Sequence, residues 1–162
     1  MPGSWEIAEQ RRNRVLVATL RPPDATVSDR REEFSTKLVT PPGSDRVDIR
    51  NFPYDAARNQ AAKMALENGY AYLFFLDNDS IPMDPNIIIR LMETGFPLVS
   101  GLYYQKFHPF IPVMFNIGQD DKGEPIKVPI TGWQPGQIVS CDFVPCGALL
   151  IKRFVLEEML KR

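Results

Sequence analysis

Histidine is nearly absent from this chain and cysteine is scarce: His108 is its single imidazole, and Cys141 and Cys146 are its only thiols. Five positions apart in CDFVPC, the two cysteines match neither a zinc knuckle nor a CxxC redox pair, so they are expected as reduced thiols in or beside a strand. His108, between Phe107 and Pro109, is expected to pack in a loop and not to bind metal. A surplus of either charge is also missing. The 19 basic and 20 acidic residues leave no electrostatic footprint for nucleic acid or an anionic membrane, so no nucleic-acid partner is expected. No apolar run approaches the ~20 residues of a spanning helix. The N-terminal MPGSWEIAEQRRNR lacks the apolar core of a signal peptide, so the expectation is a cytoplasmic protein without a transmembrane segment. Repeats and low-complexity segments are absent.

What remains is ordinary globular composition, 44% hydrophobic and 24% charged, with enough material for one core and a single domain over residues 1–162. The most informative stretch is residues 70–85, YAYLFFLDNDSIPMDP. An aromatic and branched apolar run, too short for an ordinary helix and preceded by Asn68-Gly69, predicts a strand buried on both faces. It ends in two aspartates, Asp77 and Asp79. In open α/β sheets ligands bind at the carboxyl ends of the strands. If the pair continued the extended chain, the carboxylates would lie about 7 Å apart and repel by about 0.6 kcal/mol in water and about 2.4 kcal/mol at an effective dielectric of about 20. A divalent cation removes that penalty. Two carboxylates without Cys or His make a hard oxygen site that suits Mg²⁺ or Mn²⁺ and leaves positions open for phosphate oxygens. Asp-Asn-Asp-Ser is also good turn chemistry, so a purely structural turn is the competing reading.

Around this stretch, residues 14–20, RVLVATL, predict a first central strand running into the rigid Arg21-Pro22-Pro23-Asp24 loop. Asp29 with Glu32 resembles a capping box opening a short helix to about Ser35. Residues 37–40 then predict a short strand, stopped at Pro41-Pro42-Gly43. Residues 47–50 predict at most another. Asp55 is expected to cap a helix over AARNQAAKMALEN, with alanines at helical spacing for close packing on a sheet and Gly69 as its stop. Arg58 and Asn59 fall in its first turn, where the helix dipole disfavours a cation, so Arg58 needs a local reason. Asp84-Pro85 signals a helix over NIIIRLMET, and residues 96–103 the next strand, which makes a parallel crossover unit from residue 70 to 103. Prolines and glycines beyond it predict an antiparallel hairpin from residues 113–116 and 126–130, strands at 137–144 and 147–151, and a terminal helix at 154–160.

Taken together, RVLVATL, the helix beginning ARN, YLFFLDNDSIP, LVSGLYYQK and VPCGALLIKR resemble, in order, a family 2-like glycosyltransferase domain of the GT-A fold, across most of residues 14–156. The fold so implied is α/β, a mainly parallel sheet flanked by helices with a smaller antiparallel C-terminal part. The resemblance implies a nucleotide-diphosphate-sugar donor across the strand ends and an acceptor it does not identify. Asp79 would ligate the Mn²⁺ or Mg²⁺ that bridges the phosphates, and Asp77 would contact the ribose or a metal-bound water. Arg58, Asn59 and the loop starting at Arg21 fall where nucleotide contacts are expected, Lys106 where the pyrophosphate is, and Gly147 where a small residue leaves room for sugar.

Family members continue past the last helix into a segment with an acidic catalytic base. This chain stops at Arg162, which leaves Asp142 as the nearest candidate base and a truncated or donor-binding form as an expectation. A homo-oligomer is compatible with the sequence. Three rivals share part of the pattern. A haloacid-dehalogenase-like phosphatase would use Asp77 as nucleophile, but the chain beyond Asp79 is proline-broken and antiparallel in character. A Mg²⁺-dependent nucleotidyltransferase would carry a glycine-rich loop after the first strand, which Arg21-Pro22-Pro23-Asp24 is not. A non-catalytic sugar-nucleotide-binding domain is the third.

Overall fold

The computed structural model describes residues 12–21 and 29–161. Along the chain run β1 (Val15–Arg21), α1 (Asp29–Lys37), β2 (Asp45–Arg50), α2 (Tyr54–Glu67), β3 (Tyr72–Leu76), α3 (Ile87–Glu93), β4 (Leu98–Ser100), β5 (Phe115–Gln119), β6 (Pro125–Pro129), β7 (Ala148–Lys152) and α4 (Arg153–Leu160). Five strands form one sheet in the order β2-β1-β3-β7-β4, and β5 with β6 forms a separate antiparallel pair. β1 pairs in parallel with β2 and β3. β7 is antiparallel to both β3 and β4, so four of the five strands run one way and β7 the other.

Period-two alternation explains why the sheet is buried on both faces. Leu16, Ala18 and Leu20 of β1 and Leu73 and Phe75 of β3 enter one core with Ala57, Ala61 and Ala65 of α2 and Leu156 of α4. Val15, Val17, Phe74 and Leu76 enter the other, against Ile88 and Leu91 of α3 and against Leu38. The α2 alanines recur every fourth residue and let the helix axis approach the sheet closely. Phe74 and Leu73 are fully buried. Truncating Phe74 to Ala would cost about 3–5 kcal/mol. β3 is thus the central strand, and Asp77 follows its last residue.

Several local expectations are corrected. Residues 37–40 form no strand: α1 runs to Lys37, and Leu38 is buried while the Val39 N–H bonds Pro85 O at 2.9 Å. An apolar side chain there enters the core without joining a ladder. β2 is longer than residues 47–50, pairing six residues with β1. Asp55 does not cap α2, whose N-cap is Pro53 without a side-chain cap bond; Asp55 lies in the first turn, where a negative charge suits the dipole. Asp84, two residues before the α3 N-cap Asn86, accepts the Asn86 N–H at 2.9 Å. Only Leu98–Ser100 of the segment 96–103 is strand, and β4 reaches β3 through β7, not beside it. Residues 137–144 hold no strand, only a bridge between Phe143 and Phe115. The hairpin forms, but its first strand, Phe115–Gln119, is shifted toward the C-terminus of the expected 113–116, while β6, β7 and the terminal helix fall within one residue of expectation.

Candidate functional site

The carboxyl ends of β1, β3 and β4 share one edge of the sheet with the start of β7, because Leu76 pairs with Ala148 in the antiparallel register. Asp77 and Gly147 are therefore neighbours, and the Asp77 N–H donates to Gly147 O at 3.1 Å. Asp77-Asn78-Asp79-Ser80 is a turn, closed by the Ser80 N–H on Asp77 O at 3.1 Å, with Asn78 buried beneath it. The extended geometry assumed for the aspartate pair is thus replaced by a turn. Both readings of Asp-Asn-Asp-Ser meet here: the stretch turns, and the turn presents two carboxylates. The Asp77 side chain is 23% exposed and that of Asp79 48%.

Each carboxylate meets a cation from a distant segment. Arg58, in the early turns of α2, donates from Nη2 to Asp77 Oδ1 at 3.2 Å. Its guanidinium also lies 5.4 Å from the centroid of Phe75 and 5.8 Å from that of Tyr54, and its Nε is buried without a hydrogen-bond partner. Arg58 sits in the early part of a helix against the dipole preference because the strand end brings Asp77 to it. Lys106 pairs through Nζ with Asp79 Oδ2. Burial holds the Asp77 carboxyl above its ordinary range; Arg58 draws it back down, Asp79 pushes it further up, and Lys106 draws it down again. The hydrogen bond to Asp79 raises Lys106 above the usual ammonium value.

Gly147 has a second neighbour. A Cβ there would stand 3.0 Å from two ring atoms of Tyr103 and 3.1 Å from Ser80 Oγ, so the room left by the missing side chain is filled by Tyr103 and Ser80. The Gly147 N–H donates to the Tyr103 hydroxyl at 3.1 Å. Burial raises the Tyr103 phenol; the Gly147 amide lowers it, and Asp77 raises it again. Sequence reasoning missed Tyr103 and Ser80. The only signal for Ser80 was its place in the turn, and for Tyr103 its place at the end of the strand expected at residues 96–103.

The other expected site residues make their contacts away from the aspartate pair, although Arg21 ends β1 on the same sheet edge. Arg21, at the end of β1, pairs with Asp48 at 3.0 Å and Glu32 at 3.9 Å; its Nε is buried and unpartnered. Pro22, Pro23 and Asp24 fall outside the described residues. Asn59 is exposed on α2. Asp142 is drawn into the hairpin: its Oδ2 accepts the Ile117 N–H at 2.7 Å, and its own N–H bonds Phe115 O at 3.1 Å. His108 stacks edge-on to Phe110, centroids 6.1 Å apart. Both cysteines are free thiols.

A cleft of about 500 Å³ opens at the β4 edge, lined by Leu91, Phe96, Leu98, Trp133 and Ile138 among others. It is separate from the aspartate turn.

Among the described residues no group of three or more His, Cys, Asp and Glu could hold a metal by itself. Asp77 and Asp79 are nevertheless hard oxygen donors of the kind that, one or two at a time, hold Mg²⁺ together with substrate phosphates. The residues fit an ion completed by its ligand, not one caged by protein. Among the described residues no helix is long and apolar enough to cross a membrane.

No family model and no curated protein sequence matches the chain. Among solved structures, A197 from STIV is similar at a TM-score of 0.57 and 21% sequence identity, over 90% of this chain and 68% of that chain. At that identity the likeness shows a common mixed α/β fold, with its mostly parallel sheet between helices.

Proposed function

We propose that this chain is a metal-dependent glycosyltransferase of GT-A type, similar to family 2 members, which moves a sugar from a nucleotide-diphosphate-sugar donor to an acceptor. The observation that carries the proposal is the placing of Asp77 and Asp79 on a turn at the carboxyl end of the central strand, with Arg58 and Lys106 converging on them. A crevice at that edge of an α/β sheet is the usual ligand position. Its charge set is two carboxylates and two cations, as an anionic diphosphate with a divalent ion requires.

In this reading Asp77 and Asp79 hold the ion, which when bound supplies charge stabilisation to the departing nucleoside diphosphate. Lys106, on an exposed loop, places its ammonium against the pyrophosphate. Arg58 fixes the Asp77 rotamer through its Nη2 hydrogen bond. Tyr103 packs over Gly147 and accepts its amide, next to the backbone that holds Asp77.

Asp142 gives a specific reason to keep a second reading. Its carboxylate serves the hairpin backbone, which favours a donor-binding module without its own base over a base at that position. Calorimetric titration of UDP, GDP and CDP and their sugars, with and without Mn²⁺, tests the shared core. Metal-dependent binding of at least one nucleoside diphosphate is expected, and donor hydrolysis then separates enzyme from binding module. Uniform absence of binding removes both readings.

A further inference from the structure

Residues 103–113 form a strap whose base is tied down and whose tip is not. At the base, the Val113 N–H donates to Tyr103 O at 2.9 Å and the Gln105 N–H to Ile111 O at 3.0 Å, and Tyr104 bridges Pro112. The Tyr103 hydroxyl fastens this base to Gly147, whose carbonyl in turn receives the Asp77 N–H. The tip is exposed, Phe107 at 81% and Phe110 at 63%. Lys106 is the tip residue that touches the aspartate turn, through Asp79. The strap is thus held at the site by a narrow base and one surface ion pair, and solvent screening makes a pair of that kind weak.

We propose that Lys106 couples ion and nucleotide binding by exchange: it yields the Asp79 carboxylate when a divalent ion takes it, and transfers its ammonium to the ligand's pyrophosphate. The inference rests on the donor site proposed above. Lys106 holds Asp79 through Oδ2, and a divalent ion and an ammonium on one carboxylate repel each other, so each weakens the other's hold on Asp79 and the ion favours release of the ammonium. A flexible lysine at the end of a strap then finds its next nearest anion in the phosphates. The consequence is a site in which Lys106 opposes the ion bound alone and favours ion and diphosphate bound together. Coupling of this sort is reciprocal.

Electron paramagnetic resonance with Mn²⁺ alone is expected to show Lys106→Met binding the ion about two- to five-fold tighter than the parent, while Lys106→Arg matches the parent. With Mn²⁺ present, UDP or GDP should bind Lys106→Met more weakly than the parent. The exchange is overturned if Lys106→Met binds Mn²⁺ no tighter than the parent, including the case in which neither binds it. Tighter Mn²⁺ binding by Lys106→Met with no nucleoside diphosphate bound by either protein leaves the competition at Asp79 standing but overturns the transfer to pyrophosphate, together with the functional reading.

Discussion

Arg58 Nη2 lies 3.2 Å from Asp77 Oδ1, joining the early turns of α2 to the residue that ends β3. Both side chains are about three-quarters buried, so neither partner can return fully to water if the other is lost. Replacing Arg58 with Met is expected to lower stability by about 1–3 kcal/mol, the cost of leaving a largely buried polar group without its partner. Urea denaturation checks this, and a variant as stable as the parent would show that Asp77 finds compensation elsewhere.

The pH dependence of Asp77 has a definite sign. Its folded pKa is raised above the ordinary 3.8, first by burial, so the folded protein binds that proton more tightly than the unfolded chain. The cost of the buried charge is fully present above the folded value and fades as pH falls from there toward 3.8. Asp77→Asn leaves Arg58 without its carboxylate, which costs stability at every pH, but it also removes the titration, so its stability relative to the parent is expected to be best above that window and to worsen as the pH falls through it. Melting temperatures of both proteins across the window test this; a constant difference would contradict it.

Gly147 is set by close approach. Gly147→Ala would drive a methyl group to 3.0 Å from the Tyr103 ring and is expected to cost about 1–3 kcal/mol, as overpacking does. The same change in a Tyr103→Ala background should cost clearly less. A double-mutant cycle with no coupling between the two positions would place the strain elsewhere.

Asp142 is expected to matter for stability before chemistry. Asp142→Ala removes the acceptor of the Ile117 N–H and should lower stability by about 1 kcal/mol, while nucleoside diphosphate affinity stays at the parent level. A fall in donor hydrolysis by Asp142→Asn without a matching fall in binding would restore Asp142 as a base.

How far the sequence spoke depends on where apolar side chains stand. β1, β3, β7 and α2 were legible because their buried residues are contiguous or helically spaced. β2 was not: DRVDIR is a charged edge strand with only Ile49 buried, and charged outward residues are how such edges avoid pairing further. Leu38 misled in the opposite direction, since one buried side chain needs no strand. Insertion of β7 between β3 and β4 is a pairing across many residues, which local periodicity does not encode. At the site, Asp77 and Asp79 were visible from the abrupt end of the apolar run, and Arg58 from its discord with the helix dipole. The partnership of Lys106 with Asp79, 27 residues away, and the packing of Tyr103 over Gly147 were visible only in three dimensions.

The most direct measurement is a calorimetric comparison of UDP and GDP binding by the parent and by Asp79→Ala, each with and without Mn²⁺. Asp79 is about half exposed, so the variant should fold as the parent does, which circular dichroism verifies. A metal-dependent donor site at the aspartate turn predicts metal-enhanced binding by the parent and binding by Asp79→Ala that no longer responds to Mn²⁺. Such a site is contradicted if the parent binds neither nucleotide, or if Asp79→Ala binds as tightly as the parent with Mn²⁺ still enhancing its affinity.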